Sequence, residues 1–294
     1  MARRFSAGDY MTVPSPSSYN LLTASVDFWF RGTNDSSNTI FNVSRSSAGD
    51  FNIAEVTIGG NRSGGLTNEI ITFVRRDDTD SFYDVLGYTT SNRAIIFDGV
   101  WHHIALTFSG SASGTKIYLD GQSQTVTVGV GSNAGKFGHV SLFPLSATVG
   151  AFNNAGTIQL TPGGNELSFL SFRNVSLSAA EVAALAACAS PLSIRPSSLV
   201  SLWVNRGLAA DTIEVDVVRG RNLTIFGTPS WAPDPPVSRL GLTNVHGGLP
   251  WYSPAAMIAG QAAAGQSVGL DPVSRSAFGP WFGVRALGSP SWRD

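Results

Sequence analysis

The chain has a single cysteine in 294 residues, Cys188, so it cannot close an internal disulfide. Its stability must come from packing instead of cross-links. No basic side chain flanks Cys188 to lower its pKa, and among alanines it reads as a small buried residue. Charge is also scarce: Asp, Glu, Lys and Arg make up 13% of the chain, with a formal net charge of −1. Lysine occurs only at Lys116 and Lys136, leaving no basic stripe to neutralise phosphates, so nucleic acid is not an expected partner. No run of about 20 apolar residues is present to span a bilayer, and membrane insertion is not expected. Arg3 and Arg4 are followed by no apolar run, so the expectation is a chain made without a signal peptide. On that expectation the sequons at Asn42 and Asn174 are chance.

What is present points to β structure. Hydrophobic residues reach 43%, enough to build a core, and 32 glycines accompany recurrent Ser, Thr and Asn. From Phe5 to about Phe172, short apolar-alternating runs are separated by Gly, Asn, Ser and Asp clusters, as in successive antiparallel strands. In Ser25-Val-Asp-Phe-Trp-Phe30, Val26, Phe28 and Phe30 fall on one face and Trp29 on the other. Residues 39–43, 51–56 and 70–74 read as further strands bounded by turn residues.

The segment from Asp98 to Gly121 predicts a long hairpin. Trp101, His103, Ala105 and Thr107 share one face and His102, Ile104, Leu106 and Phe108 the other, with a Gly/Ser loop at 109–114 reversing the chain. Asp120-Gly121 supplies residues that tolerate positive φ for a second tight turn. Further on, Ser178 and Glu181 form a capping box that starts a short helix, with Val182 and Leu185 spaced to dock on the sheet.

These pieces resemble a known family. Gly99-Val-Trp-His-His-Ile-Ala105 with Lys116-Ile-Tyr-Leu-Asp-Gly121 is similar to the central hairpin of laminin-G-like, concanavalin A-like and pentraxin-like jelly rolls. Phe5 to Val13 resembles their first strand, Thr23 to Phe30 the next, and Leu167 to Leu185 the closing strand and helix. The resemblance implies an all-β, antiparallel jelly-roll β-sandwich over residues 1–190 with one short helix. Residues 191–230, with strand-like runs at 199–204 and 222–226, read as an additional strand pair packing on the sandwich. Residues 231–294, rich in Pro, Gly and aromatics, read as an extended C-terminal arm. A solvated linker would not keep Trp231, Trp251, Tyr252, Trp281, Phe282 and Trp292 exposed. They are expected either to fold back on the sandwich or to anchor the arm in a neighbouring subunit, as assembly contacts.

Several candidate sites have plainer readings. A glycanase needs two carboxylates across a cleft. Glu55, Glu69, Asp77, Asp78 and Asp80 are available, yet no Glu-x-Asp-x-x-Glu strand motif is present, and 77–80 read better as a polar hairpin loop. No catalytic residue is assigned and an enzyme is not expected. His102 and His103 point to opposite faces of a strand and cannot share one metal, and His139 and His246 lack partners at ligand spacing. No zinc site or other cofactor is assigned. The resemblance leaves calcium open at a rim gathering Asn34, Asp35, Asp50, Asp120, Asn153 and Asn154, although Asp120 is explained by its turn. It also implies glycan binding through aromatic residues, with Trp29, Tyr83, Tyr88 and Phe152 as candidate contributors, although such residues in a sheet more often serve packing.

A jelly roll without an export signal, ending in an aromatic arm, suits the tailed bacteriophages, whose virion surface modules stand-alone sandwiches resemble. The leading expectation is a non-enzymatic structural protein of a phage particle: capsid decoration, head fibre or tail component. It would be made in the host cytoplasm, reside in the virion, and partner other virion proteins or copies of itself through its C-terminal region. The alternative is a carbohydrate-binding or adhesion module recognising host-surface glycans.

Overall fold

The computed structural model describes residues 2–46, 54–60, 66–76, 83–138, 145–154, 157–160, 163–205 and 211–237. In chain order the first strands are β1 (Ala2–Arg4), β2 (Tyr10–Thr12), β3 (Thr23–Arg31), β4 (Asn38–Arg45), β5 (Ala54–Ile58), β6 (Glu69–Arg76) and β7 (Tyr83–Thr89). Next come β8 (His102–Ser109), β9 (Thr115–Leu119), β10 (Gln122–Gln124), β11 (Thr127–Val130), β12 (Leu145–Val149), β13 (Ala151–Asn154), β14 (Thr157–Leu160) and β15 (Glu166–Arg173). Helix α1 (Ala179–Ala186) precedes β16 (Leu199–Trp203), β17 (Ile213–Glu214), β18 (Leu223–Phe226) and β19 (Ser230–Ala232).

The first sheet runs β10-β9-β8-β3-β15-β1-β19, with β16 also paired to β15. The second runs β11-β7-β6-β5-β4-β12-β2-β18-β17, and β13 and β14 form a separate hairpin. All registered pairings are antiparallel, as the alternating pattern predicts. Val26, Phe28 and Phe30 of β3 and Ile104, Leu106 and Phe108 of β8 bury against Phe41, Val43, Val56 and Phe73 of the second sheet. Phe137 joins the layers, 5.7 Å from Phe73 and 5.1 Å from Phe172. Each such ring contributes about 2–3 kcal/mol by leaving water. The result is the expected antiparallel sandwich with one short helix.

The β8–β9 hairpin forms as predicted, and Asp120 and Gly121 take φ of 49° and 77° in the following turn. The capping box is complete: the Glu181 N–H donates to Ser178 Oγ and the Ser178 N–H donates to the Glu181 carboxylate. Strand β15 departs from simple alternation. Its register shifts between Ser168 and Ser171, and Phe169, at φ 50°, is the residue that absorbs the extra step. Leu167, Leu170 and Phe172 then face the inner core while Phe169 packs in a second cluster with Trp29 and Leu202.

The added strand pair is not a unit laid on a finished sandwich. β16 joins the first sheet beside β15, and β18 joins the second sheet beside β2. Trp203 of β16 and Leu223 and Ile225 of β18 are core residues. The chain divides into two compact units, Met1–Val245 and His246–Asp294, so the first extends well past residue 190. The second lies outside the described residues, as do Trp251, Tyr252, Trp281, Phe282 and Trp292. Trp231 is described: it sits on edge strand β19 opposite Arg3, 56% exposed. No helix among the described residues is long and apolar enough to cross a membrane.

Candidate ligand-binding face

The outer surfaces of the two sheets differ in chemistry. On the first, Ala105 and Tyr118 are covered by Leu177, Val182 and Leu185 of the helix region. Beside them Trp29, Phe169, Leu199, Leu202, Val204, Val217 and Val237 close over the rest. A buried polar knot survives there: Ser171 Oγ donates to Asp27, and Arg173 Nε and His103 Nε2 each lie 3.8 Å from an Asp27 oxygen. That face is sealed.

On β4, β5 and β12 of the second sheet the residues alternating with the core are hydroxyls, amides and a carboxylate, while β6 and β7 set Val74, Val85, Arg76 and Tyr83 beside Thr72. Thr57 pairs with Thr39 on one side and Thr72 on the other, and Thr72 pairs with Gly87. Asn42 pairs with Glu55 and Thr148, and Ser44 with Ser146. Because their neighbours Phe41, Val43, Val56 and Phe73 point into the core, these polar residues point outward. Thr39 Oγ1 donates to Glu55 Oε1 at 2.8 Å, and at the β13 end the Asn153 N–H donates to Asn42 Oδ1 and Asn153 Nδ2 to Ser146 Oγ. Thr57 Oγ1, Thr72 Oγ1 and Asn42 Nδ2 are buried and make no hydrogen bond. Buried polar atoms are normally paired, and an unpaired one costs about 1–3 kcal/mol. Gly87 shapes one border, since a Cβ there would lie 2.8 Å from Leu66 Cδ1, and Leu66 packs on Val74 and Val85 beside the strip.

Of the aromatic residues singled out from the sequence, Tyr83 lies at the β7 border of this face, packed on Leu66, Val74 and Val85, and the others do not gather with it. Trp29 is 6% exposed on the sealed sheet, edge-on to His103 at 5.4 Å, so it offers no platform to a sugar. Tyr83 is half-buried with the Arg76 guanidinium 4.2 Å above its ring, and Tyr88 packs partly into the inner core. Phe152 lies half-buried on β13. The oxygen-bearing rim residues are likewise dispersed. Asn34 caps its own loop through Ser36, Asp35 pairs with Arg93, Asp120 accepts from His102 and the His103 N–H, and Asn153 belongs to the polar strip. Asp50, Asp77, Asp78, Asp80, His139 and His246 lie outside the described residues. Among the described residues no group of His, Cys, Asp or Glu is arranged to hold a metal ion.

The Thr57–Thr72 strip was missed because alternation reports direction only, and outward threonines on a strand read as ordinary solvated residues. The signal that existed was the run of Thr39, Asn42, Glu55, Thr57 and Thr72 across three consecutive strands, at positions alternating with apolar ones.

With this geometry in view, a family model described as the concanavalin A-like lectin/glucanases superfamily matches residues 5–183. Among solved structures, a Bacteroides ovatus protein provisionally described as carbohydrate-binding is similar at 17% identity and a TM-score of 0.53, over 81% of this chain. The match spans 61% of that protein's length. A CBM40 module of the Ruminococcus gnavus IT-sialidase, bound to α2,3-sialyllactose, matches at 16% identity and a TM-score of 0.47, over 63% of this chain and 95% of its own. The heptameric SAP-like pentraxin of Limulus polyphemus matches at 16% and 0.37, over 64% and 75%. At 17% identity the likeness to the Bacteroides ovatus protein is one of fold. No curated protein matches.

Proposed function

The chain belongs to the concanavalin A-like lectin/glucanases superfamily, and from that premise we propose that it is a non-catalytic module that binds carbohydrate on the outer face of its second sheet. The observation that carries the reading is the pair of unpartnered hydroxyls, Thr57 Oγ1 and Thr72 Oγ1, on directly paired residues of that face. Cross-strand partners hold their Cβ atoms about 5 Å apart, a spacing suited to two neighbouring hydroxyls of one sugar ring. Both residues are buried, Thr57 at 0% and Thr72 at 1% exposure, so a sugar would reach these hydroxyls only on opening of the face, and would then supply the missing hydrogen bonds. The outer side of the other sheet is closed, among the described residues, by apolar side chains packed over it. The non-catalytic part rests on the carboxylates: Glu166 takes Arg4 and Arg31, Glu214 takes Arg3, and Glu181 caps α1.

The test is a glycan array probed with the full chain, followed by titration of the best ligand against the Thr57→Val/Thr72→Val double variant. Removing two unsatisfied hydroxyls keeps shape and relieves desolvation, so the variant folds at least as stably as its parent. Its affinity should fall about thirtyfold, the loss of two hydrogen bonds of about 1 kcal/mol each. A blank array, or unchanged affinity in the variant, rejects the proposal.

A second reading, a structural component of a phage particle attached through its C-terminal region, is favoured by a different observation. Ile213 of β17, Val215 just after it, Phe226 of β18 and Trp231 of β19 are large apolar side chains left 39–56% exposed in the C-terminal part of the described chain. Exposed apolar side chains of this size suit burial in an assembly. Light scattering of the full chain tests it: a stable monomer at every concentration counts against assembly through this edge.

A further inference from the structure

Beyond the ligand face, one side chain is held in a way that only one of its protonation states satisfies. His102 opens β8, and both of its ring nitrogens face carboxylates: Nδ1 lies 2.8 Å from Asp120 Oδ2 and Nε2 lies 3.1 Å from Asp98 Oδ1. The imidazolium donates to both. A neutral ring carries one N–H, so its other nitrogen must turn a lone pair toward a carboxylate. One contact must then fail.

The two contacts are not equivalent. Asp120 is fixed from two sides, because its Oδ1 accepts the His103 N–H at 2.9 Å and its own N–H donates to the His103 carbonyl at 2.8 Å. Asp98 lies in the short segment that leads into β8, and its other contact is to the Val100 N–H two residues on. The polar anchors of that segment are few: Gly99 reaches Gly32 through one backbone hydrogen bond, Val100 is 57% exposed, and the Trp101 indole N–H is buried without a partner although its ring packs partly on the Trp29 cluster. The remaining neighbours do not compensate. Phe30, the register partner of His102 on β3, is apolar, and Arg31 beside it is committed to Glu166 and to the Trp101 ring.

We infer that His102 is the pin of a pH-operated clasp, holding segment 98–101 against the end of the β8–β9 hairpin while its ring is charged and releasing that segment when the ring is neutral. The electrostatics agree in sign. The hydrogen bond to Asp120 raises the His102 pKa, burial opposes it, and Asp98 adds to the rise. The clasp is therefore shut at acid pH and opens as pH climbs through the raised pKa of the ring.

Hydrogen–deuterium exchange of the full chain between pH 5 and 9, corrected for intrinsic exchange, reads the clasp directly. Protection of residues 98–101 should fall at least tenfold along the titration of the His102 ring, followed by its nitrogen shifts. Asp98→Asn supplies the control, since the side chain is 38% exposed and its amide can donate to or accept from either ring state. In that variant protection should be independent of pH. His102→Gln, which does not titrate, should also give a flat profile. A flat profile in the parent chain, or the same fall in Asp98→Asn, overturns the inference.

Discussion

Asp216 does more for the C-terminal part of the sandwich than its place in a polar stretch suggests. Its carboxylate, 1% exposed, accepts from the Leu202, Val218 and Arg221 N–H groups at 3.0–3.1 Å. Those three donors tie the 217–221 turn to β16. Replacing Asp216 by Ala leaves them buried and unpaired, at about 1–3 kcal/mol each before relaxation. The expected loss is roughly 3 kcal/mol in denaturant unfolding, and a change below about 0.5 kcal/mol would show that the donors find other partners. Nothing in the sequence distinguished Asp216 from Asp211, since both precede β-branched residues. The same blindness applied to Trp29 and Thr57. Both sit at outward positions of a strand, and whether such a position is wet, sealed or starved of partners depends on elements more than a hundred residues away in the case of Trp29. Asp120 was legible because its role is local, a positive-φ turn next to glycine.

Elements whose logic is local were read correctly. The β8–β9 hairpin follows from alternation and its turn residues, and α1 from four residues of capping chemistry. Ser178→Ala should weaken α1 by about 1 kcal/mol, detected as faster amide exchange over 179–186 with little change in the sheets. Burial raises the Glu181 pKa, but donation from Ser178 and the ion pair with Arg195 outweigh it and leave the carboxyl below its ordinary value. A depressed acid stabilises the fold above its unfolded pKa and ceases to do so as pH falls through the folded one. The difference between parent and Ser178→Ala should accordingly shrink under acid conditions; a constant difference would mean that Glu181 adds nothing to the cap. Strand β15 was legible only in part. Leu167, Phe169 and Phe172 do not fit one period of two, and the bulge that reconciles them depends on β3, β1 and β16, all paired with it across long sequence distances.

At the scale of the whole molecule, the strand pair read from residues 191–230 proves to be part of the sandwich's closure, which changes where the domain can be cut. β16 and β1 lie along the same edge of β15, one beside its second half and one beside its first. Trp203 is fully buried, 5.7 Å from Tyr19 and 6.4 Å from Phe41, and Leu223 and Ile225 fill the second sheet's end of the core. Arg3, fully buried, is paired with Glu214 of β17 at 2.9 Å. A chain stopped at residue 190 loses Trp203, Leu223 and Ile225 together and leaves Arg3 without that carboxylate. Large apolar deletions cost about 2–5 kcal/mol each and a broken buried ion pair about 3–5. Their sum, about 9–20 kcal/mol, is comparable to the 5–15 kcal/mol that holds an ordinary domain together. Residues 1–190 should therefore show no cooperative thermal transition, whereas residues 1–237, which keep β16 to β19, should melt cooperatively. Calorimetry of the two fragments decides it: a cooperative transition in 1–190 near that of 1–237 would mean that the jelly roll closes without its last four strands.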